Sequence, residues 1–511
     1  MRRSLFVLLL VLLFPASAAA APVLVLGHGH ATLRDDPYLT GPAITPAPAS
    51  ALAPSLSTSE RAAWATTAGT GGASAGRPST SSTPAKKKKR KPKKPEITFL
   101  SELARLHRIG ALPTASYQAD VSAYNQALAT EKRLRGTRRT ELTAVTVTMH
   151  DIAASHQLTP SRLPALMATL AANQQWWTQG PLLASGQRVE FSGSQLVWEY
   201  YPGQGIQLQV LGTFGKADGL YTAGAADYPA MEQLLAEMIP LAAQRGGGLT
   251  WEYYFHFDGG APPWTSAMSQ ATGLEALSRA YQATGNADYL TTGTQALPIF
   301  SVKPPVGVNV KAPAGTRFLQ YTFAPTTDII NAFLQTLIGL YDFAQVSHNA
   351  TASALFAAGN AQAQAELPGF DTGAWSLYQP GVEDTLSYHE LVTGFLQQLC
   401  TRTQAPVYCT TAQHFQAYLT TPPSLSQLTL KARNRGTFAM RFQLSKISRV
   451  GVTVTNDADR TVFATSASFG YGVHSFTIPR LKKPGTYGVV LTATDLAGNF
   501  ARITGDLQIT R

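Results

Sequence analysis

The sequence predicts a multidomain, mainly α-helical protein: an (α/α) toroid or barrel, preceded by a helical region with a small β-sheet and followed by an immunoglobulin-like β-sandwich. Three observations predict it. Helical patterns begin near Ser266, Thr327 and Tyr388, 61 residues apart in both intervals, as stacked helical hairpins require. From Leu425 the apolar period switches to two, with Val450, Val452 and Val454 alternating with Gly451, Thr453 and Thr455, the mark of half-buried strands. The 511 residues are 44% apolar and only 14% charged. That charged fraction lies well below the roughly 25% of ordinary soluble domains, so a packed chain is expected.

Residues 1–21 read as a secretory signal: Arg2 and Arg3 precede the ten-residue apolar run Leu5–Phe14, and Ala16-Ser17-Ala18 offers small-residue cleavage sites. Ten residues are too short to span about 30 Å of hydrocarbon, although an uncleaved anchor remains the alternative. The expected location is secreted, periplasmic or cell-envelope. Residues 22–97, rich in Ala, Ser, Thr, Pro and Gly, read as a disordered linker ending in the polybasic run Lys86–Lys94. That run and the two signal arginines hold ten basic residues, and without them the net charge of +11 falls to +1. Contact with an anionic cell envelope is therefore expected of the tether, while specific nucleic-acid binding, which needs a basic face on a folded domain, is not. Gly72-Ala73-Ser74-Ala75-Gly76 matches G-x-S-x-G but lacks the strand and helix of a nucleophile elbow.

Residues 98–225 form the expected helical region plus small antiparallel sheet. Leu100, Leu103, Leu106 and Ile109 share a helical face, and Thr159-Pro160-Ser161 opens a further helix. Short strands follow at Val189–Phe191, Leu196–Tyr201 and Ile206–Leu211, the last two joined by the turn Pro202–Gly205. Alternation puts Trp198 and Tyr200 toward a core and Glu199 and Tyr201 on a face suited to lining a groove.

In residues 226–422, the toroid segment, second helices are expected near Asp288, Ala352 and Thr410. Aromatic loops Trp251–Trp264, Phe318–Pro325 and Trp375–Tyr388 precede the first helices. All such loops lie at one end of a hairpin stack, where helix N-termini favour anions. Cys400 and Cys409, the only cysteines, are expected to form a disulfide in an oxidising compartment; two free thiols are the alternative. Residues 423–511 carry the sandwich, with turns such as Lys483-Pro484-Gly485.

No metal, nucleotide or nucleophile motif stands out, and neither a metal nor a cofactor is expected. What does stand out is tyrosine: nineteen are present, with Tyr253, Tyr254, Tyr321, Tyr378 and Tyr388 in the inter-helix loops. Aromatic faces stack on sugar rings, and phenols hydrogen-bond to sugar hydroxyls.

Four blocks in these loops and helices are recognisable. They are Pro263–Gln270, continuing through Gly273–Leu277 to Tyr281; Ile330-Asn331-Ala332-Phe333, followed by Leu337–Asp342; Leu367–Gly373, ending in Ser376-Leu377-Tyr378; and Tyr388-His389. In order and spacing they resemble the C-terminal catalytic domain of D-glucuronyl C5-epimerases, heparosan-N-sulfate-glucuronate 5-epimerase type. The resemblance implies an isomerase that converts D-glucuronate to L-iduronate-type residues in a uronate-containing, heparan-sulfate-like polysaccharide. It also implies catalytic roles for Tyr321, Tyr378 and Tyr388 and substrate contacts from His389, Asn331, Trp264, Tyr253 and Gln320. Tyrosine, with an ordinary pKa near 10, suits proton transfer where positive charge or helix dipoles lower that value. Three departures are visible. Gln320 stands where the family has glutamate, Gly381 where it has an arginine after the second tyrosine, and Val392 near the position of a histidine. Glu199, Glu252 and Glu383 are candidates for the missing carboxylate. Two other readings stay open: a non-catalytic polysaccharide-binding or cell-envelope protein on the same toroid, and a uronate lyase.

Overall fold

The computed structural model describes residues 21–39 and 97–511. The hydrophobic signal core, Gly72–Gly76 and Lys86–Lys94 lie outside the described residues. Two compact units divide the chain. The described part of the first comprises residues 21–39, 98–371 and 377–413, and the second is built mainly from residues 414–511.

The first unit corrects the expected linker at its start. Ala21–Gly27 (β1) and His30–Asp36 (β2) form an antiparallel hairpin, turning at His28 and Gly29, whose φ values are 49° and 79°. Two consecutive positive φ angles are what a tight hairpin turn needs. β1 then pairs in parallel with Arg188–Phe191 (β3). Composition hid this strand because its pairing partner lies far along the chain. Trp198–Tyr201 (β4) and Gly205–Leu208 (β5) complete a five-stranded sheet in the order β2-β1-β3-β4-β5.

Helices Phe99–Arg108 (α1), Thr114–Arg133 (α2), Gly136–Ala154 (α3) and Leu163–Gln179 (α4) pack together, and α3 and α4 pack on β5. α1 opens with a reciprocal cap in which Ser101 N donates to Thr98 Oγ1 and Thr98 N to Ser101 Oγ. Glu141 of α3 accepts hydrogen bonds from Tyr200 Oη at 2.8 Å and from the amides of Gly203 and Gly205 at 2.9 and 3.0 Å. It thereby holds the Pro202–Gly205 turn and ties the sheet to the helices.

Helical hairpins follow. Val210–Ala223 (α5) precedes Tyr228–Met238 (α6) and the small hairpin Ala243–Arg245 (β6) with Gly248–Thr250 (β7). Ala267–Thr284 (α7) and Asp288–Ala296 (α8) lead to Asn309–Ala312 (β8) and Gly315–Phe318 (β9). Ile330–Ser347 (α9) and Ala350–Glu366 (α10) lead to Leu377–Gln379 (β10) and Val382–Glu383 (β11). Leu386–Thr403 (α11) and Pro406–Tyr418 (α12) close the series. α5, α7, α9 and α11 pack side by side in chain order, while α6, α8 and α10 each back onto their predecessor. Cys400 of α11 is bonded to Cys409 of α12. The inner row is tight because glycine permits it: a Cβ on Gly339 of α9 would lie 2.1 Å from the Ala271 carbonyl oxygen of α7.

In the second unit, Leu425–Gln427 (β12), Lys431–Arg433 (β13), Phe438–Leu444 (β14), Ser448–Thr455 (β15), Thr461–Phe469 (β16), Gly472–Ile478 (β17), Gly485–Asp495 (β18) and Phe500–Thr510 (β19) make two sheets. Their orders are β12-β14-β17 and β13-β19-β18-β15-β16. Met440, Phe442 and Phe476 of one and Val450, Val452, Leu491 and Leu507 of the other share a single apolar core.

Candidate active site

A cavity of about 370 Å³ opens in the first unit, and Tyr321, Tyr378 and Tyr388 all line it. Tyr321 reaches it from the connection between α8 and α9, and Tyr378 and Tyr388 reach it from β10 and the first turn of α11. Tyr321 follows β9 in a segment strapped to the start of α7, with Ala267 N donating to Leu319 O at 3.0 Å and Thr322 N to Thr265 O at 3.1 Å. Its ring stacks on Phe323 at 5.2 Å. Tyr378 lies in the middle of β10. Tyr388 sits in the first turn of α11, where its amide donates to the N-cap hydroxyl of Thr385. The Tyr378 and Tyr388 rings meet edge to face at 5.2 Å.

The opposite contribution comes from the sheet and α5. Antiparallel register sets Arg188 of β3 directly across from Glu199 of β4, and Glu199 across from Gln207 of β5. Directly opposed residues share a face, so this is the polar side of a sheet whose other side buries Val189, Trp198 and Tyr200. Arg188 lines the cavity with Gln209 and with Leu211, Gly212 and Gly215 of α5. The N-terminal hairpin holds α5 in place. Buried Lys216 contacts Asp36 at 3.1 Å and Glu190 at 2.7 Å, and Arg34 contacts Glu190 at 2.5 Å. A second charged group lines the cavity where Arg279 is clamped by Asp218 at 2.9 Å and Glu275 at 2.5 Å. Gln335 adds a hydrogen bond to Glu275 at 3.0 Å.

Burial decides the protonation of the tyrosines. It pushes the Tyr321 and Tyr378 phenols well above their ordinary range; a hydrogen bond from Gln320 offsets part of this at Tyr321, while neighbouring tyrosines push both further up. Tyr388 is pushed up to about 12, first by burial and then by the charges of Asp384 and Glu199. Desolvation disfavours the phenolate, so the expected lowering by positive charge or helix dipoles is corrected: in the resting site the phenols are proton donors.

Asn331 and Gln320 also line the cavity, and Asn331 Oδ1 and Gln320 Oε1 are buried without a hydrogen-bond partner among the described residues. The expectation for Trp264 and Tyr253 is corrected. Both are buried outside the cavity wall, stacked on one another at 4.2 Å. Their polar atoms are already used: Trp264 Nε1 donates to Phe255 O, and the Tyr253 hydroxyl bonds Ser269 Oγ. They form an aromatic support beneath Tyr321, which meets Trp264 edge-on at 5.7 Å. His389 is likewise fully buried and off the cavity wall. Among the candidate carboxylates, Glu252 is engaged by Arg162, Arg245 and Tyr254, and Glu383 lies buried on β11 away from the wall. Glu199 stands behind Arg188, 3.7 Å from its Nε, with Tyr201 and Gln209 as its other polar neighbours. Sequence reading gave no role to Arg188, Gln209, Asp218, Glu275 or Arg279; the alternation in β3 and β4 was visible, but their register was not. Among the described residues no cluster of three His, Cys, Asp or Glu side chains is placed to hold a metal.

The family described as D-glucuronyl C5-epimerase C-terminus matches residues 246–417, which include all three cavity tyrosines. The D-glucuronyl C5-epimerase of Caenorhabditis elegans is 31% identical over 130 residues, covering 23% of this chain and 21% of its own. An uncharacterised protein of Methanocaldococcus jannaschii is 29% identical over 137 residues, covering 25% of this chain and 44% of its own. The chain thus spans less than half the length of either relative. A solved cellobiose 2-epimerase from Bacillus thermoamylovorans aligns at 9% identity over 55% of this chain and 74% of its own, with a TM-score of 0.34. The segment matched by that family supplies the tyrosines, Gln320 and Asn331, whereas Arg188, Gln209 and Asp218 lie upstream of it and complete the same cavity.

Proposed function

We propose that this cavity isomerises D-glucuronate residues of a polysaccharide to L-iduronate-type residues at C5. The observation that carries the reading is the convergence of Tyr321 from a loop, Tyr378 from a strand and Tyr388 from a helix N-terminus on one cavity. A base takes the C5 proton, the electron pair is delocalised into the substrate carboxylate, and an acid on the other ring face returns a proton to C5. The net reaction needs no co-reactant. Tyr388 and Tyr321 are the proton-transfer pair, with Tyr378 orienting the carboxylate or assisting one transfer. Tyr388 is the member that ionises: its phenol is raised least of the three, and it sits at a helix N-terminus, which favours an anion. Forming that phenolate near neutral pH costs about 7 kcal/mol at 1.36 kcal/mol per pKa unit. Such a cost fits within the roughly 8–23 kcal/mol by which enzymes lower barriers.

The hairpin row reads as a toroid-type array and the C-terminal sheets as an immunoglobulin-like attachment or spacing module. The N-terminal signal pattern and the Cys400–Cys409 bond support action outside the cytosol, with Lys86–Lys94 meeting the anionic envelope. Gln320, in place of the family's glutamate, favours non-catalytic binding as the second reading.

The test is C5 deuterium incorporation by NMR, with the full chain in D2O, heparosan and a panel of bacterial uronate polysaccharides. Exchange is expected, falling at least about 100-fold in Tyr388→Phe and Tyr321→Phe, the scale of a lost general acid or base. Binding without exchange would instead establish the second reading, and an unsaturated product would establish a lyase.

A further inference from the structure

Resting on the uronate reading of the cavity, we infer that Arg188, a residue outside the family segment, receives the substrate carboxylate. An enolate-forming site must neutralise that carboxylate before the C5 proton can leave. The family's arginine after the second tyrosine is replaced by Gly381, which is exposed and holds a φ of 81° in its turn. The charge must therefore come from elsewhere in the cavity. Among the described residues, two arginines line it. Arg279 is taken, at 2.9 Å by Asp218 and at 2.5 Å by Glu275. Arg188 is only 7% exposed, and its Nε is buried with no hydrogen-bond partner among the described residues.

Its ionic neighbour is Glu199, 3.7 Å from Nε, beyond hydrogen-bonding distance. The Tyr201 hydroxyl and the Gln209 amide also serve Glu199. A buried arginine attracted to a carboxylate but not hydrogen-bonded by it is poised for another acceptor. The fork of a guanidinium matches a carboxylate in two parallel hydrogen bonds. Glu199 positions the guanidinium from behind: cross-strand register holds the pair on one sheet face. Burial keeps the Glu199 carboxyl above its ordinary range while Arg188 pulls the other way. The unpartnered Gln320 Oε1 and Asn331 Oδ1 add acceptors for sugar hydroxyls. The device thus selects a sugar acid over the neutral sugar.

The experiment is calorimetric titration of the full chain with a heparosan oligosaccharide and with its carboxyl-reduced counterpart. Wild type is expected to prefer the carboxylate form by at least about tenfold, as one desolvated charge-assisted contact supplies. Arg188→Gln should abolish that preference and leave affinity for the reduced oligosaccharide unchanged, while Arg188→Lys keeps part of it. Because Arg188→Gln strands a buried Glu199, the neutral pair Arg188→Gln/Glu199→Gln serves as the second variant and should behave alike. Tyr388→Phe should keep the preference while losing exchange. A preference that survives in both Arg188→Gln variants would overturn the assignment and leave the uronate reading standing. If wild type binds uronate polymers without distinguishing the reduced form, the assignment fails. If it binds none of them, the uronate reading fails as well.

Discussion

For single residues, protonation controls what each side chain can do. Tyr388, at about 12, and the more strongly raised Tyr321 and Tyr378 remain protonated through the physiological range. A required acid that deprotonates only near such values produces no alkaline fall at moderate pH. C5 exchange measured against pH should therefore show no alkaline limb below about pH 10; a limb centred near pH 8 would mean that another group is the acid. The three tyrosines were legible in the sequence because Tyr378 and Tyr388 lie in short recognisable blocks and Tyr321 stands a fixed short distance before another. Arg188 was not, since its importance comes from standing opposite Glu199 on another strand and beside a cavity assembled from several further elements. Trp264 and Tyr253 misled for the converse reason: an aromatic in a loop looks available until packing uses both of its faces.

Among the elements, the helical row depends on contacts that only glycine allows. Gly339→Ala would force a methyl group to within 2.1 Å of the Ala271 carbonyl oxygen, a backbone atom that cannot rotate away. The expected loss is about 1–3 kcal/mol. A methyl group on Gly394 of α11 would meet nothing within 4 Å, so Gly394→Ala should be neutral or stabilising by up to about 1 kcal/mol through helix propensity. Chemical denaturation of both variants checks this; equal effects would show that α7 and α9 do not approach as described. The helices were legible because a 3.6-residue period is written within each one, and their starts at Ser266, Ile329 and Thr385 lie within three residues of the expected positions. The strands at Ala21–Asp36 were not, because a strand is stabilised by partners from any part of the chain, here β3.

For the molecule as a whole, buried carboxyls set the response to acid. Glu190, Glu199, Asp218 and Glu275 are all raised, each chiefly by burial. A raised carboxyl holds its proton more tightly when folded. The stability linked to it is complete below the ordinary values of 3.8 and 4.5 and is lost as pH rises through the folded value. Asp36 is lowered: burial raises it, but Lys216 and hydrogen bonds outweigh that. Its contribution is present above the ordinary value and is lost only as pH falls through the lower folded one. The first unit should therefore melt at a higher temperature near pH 5 than near pH 8, and Glu199→Gln should reduce the difference. Scanning calorimetry at the two values decides it, and a higher midpoint at pH 8 would contradict the burial of these groups.

The helical repeat, the change to a two-residue period near Leu425 and the blocks that carry the tyrosines could all be read directly along the chain. Each is a pattern contained within a single element or a short loop. It took the assembled fold to show that the first described strands belong to the sheet, that Arg188 rather than Arg279 has donors to spare, and that burial raises every cavity phenol. Register, ion-pair competition and desolvation are sums over groups distant in the chain, and no local pattern records them.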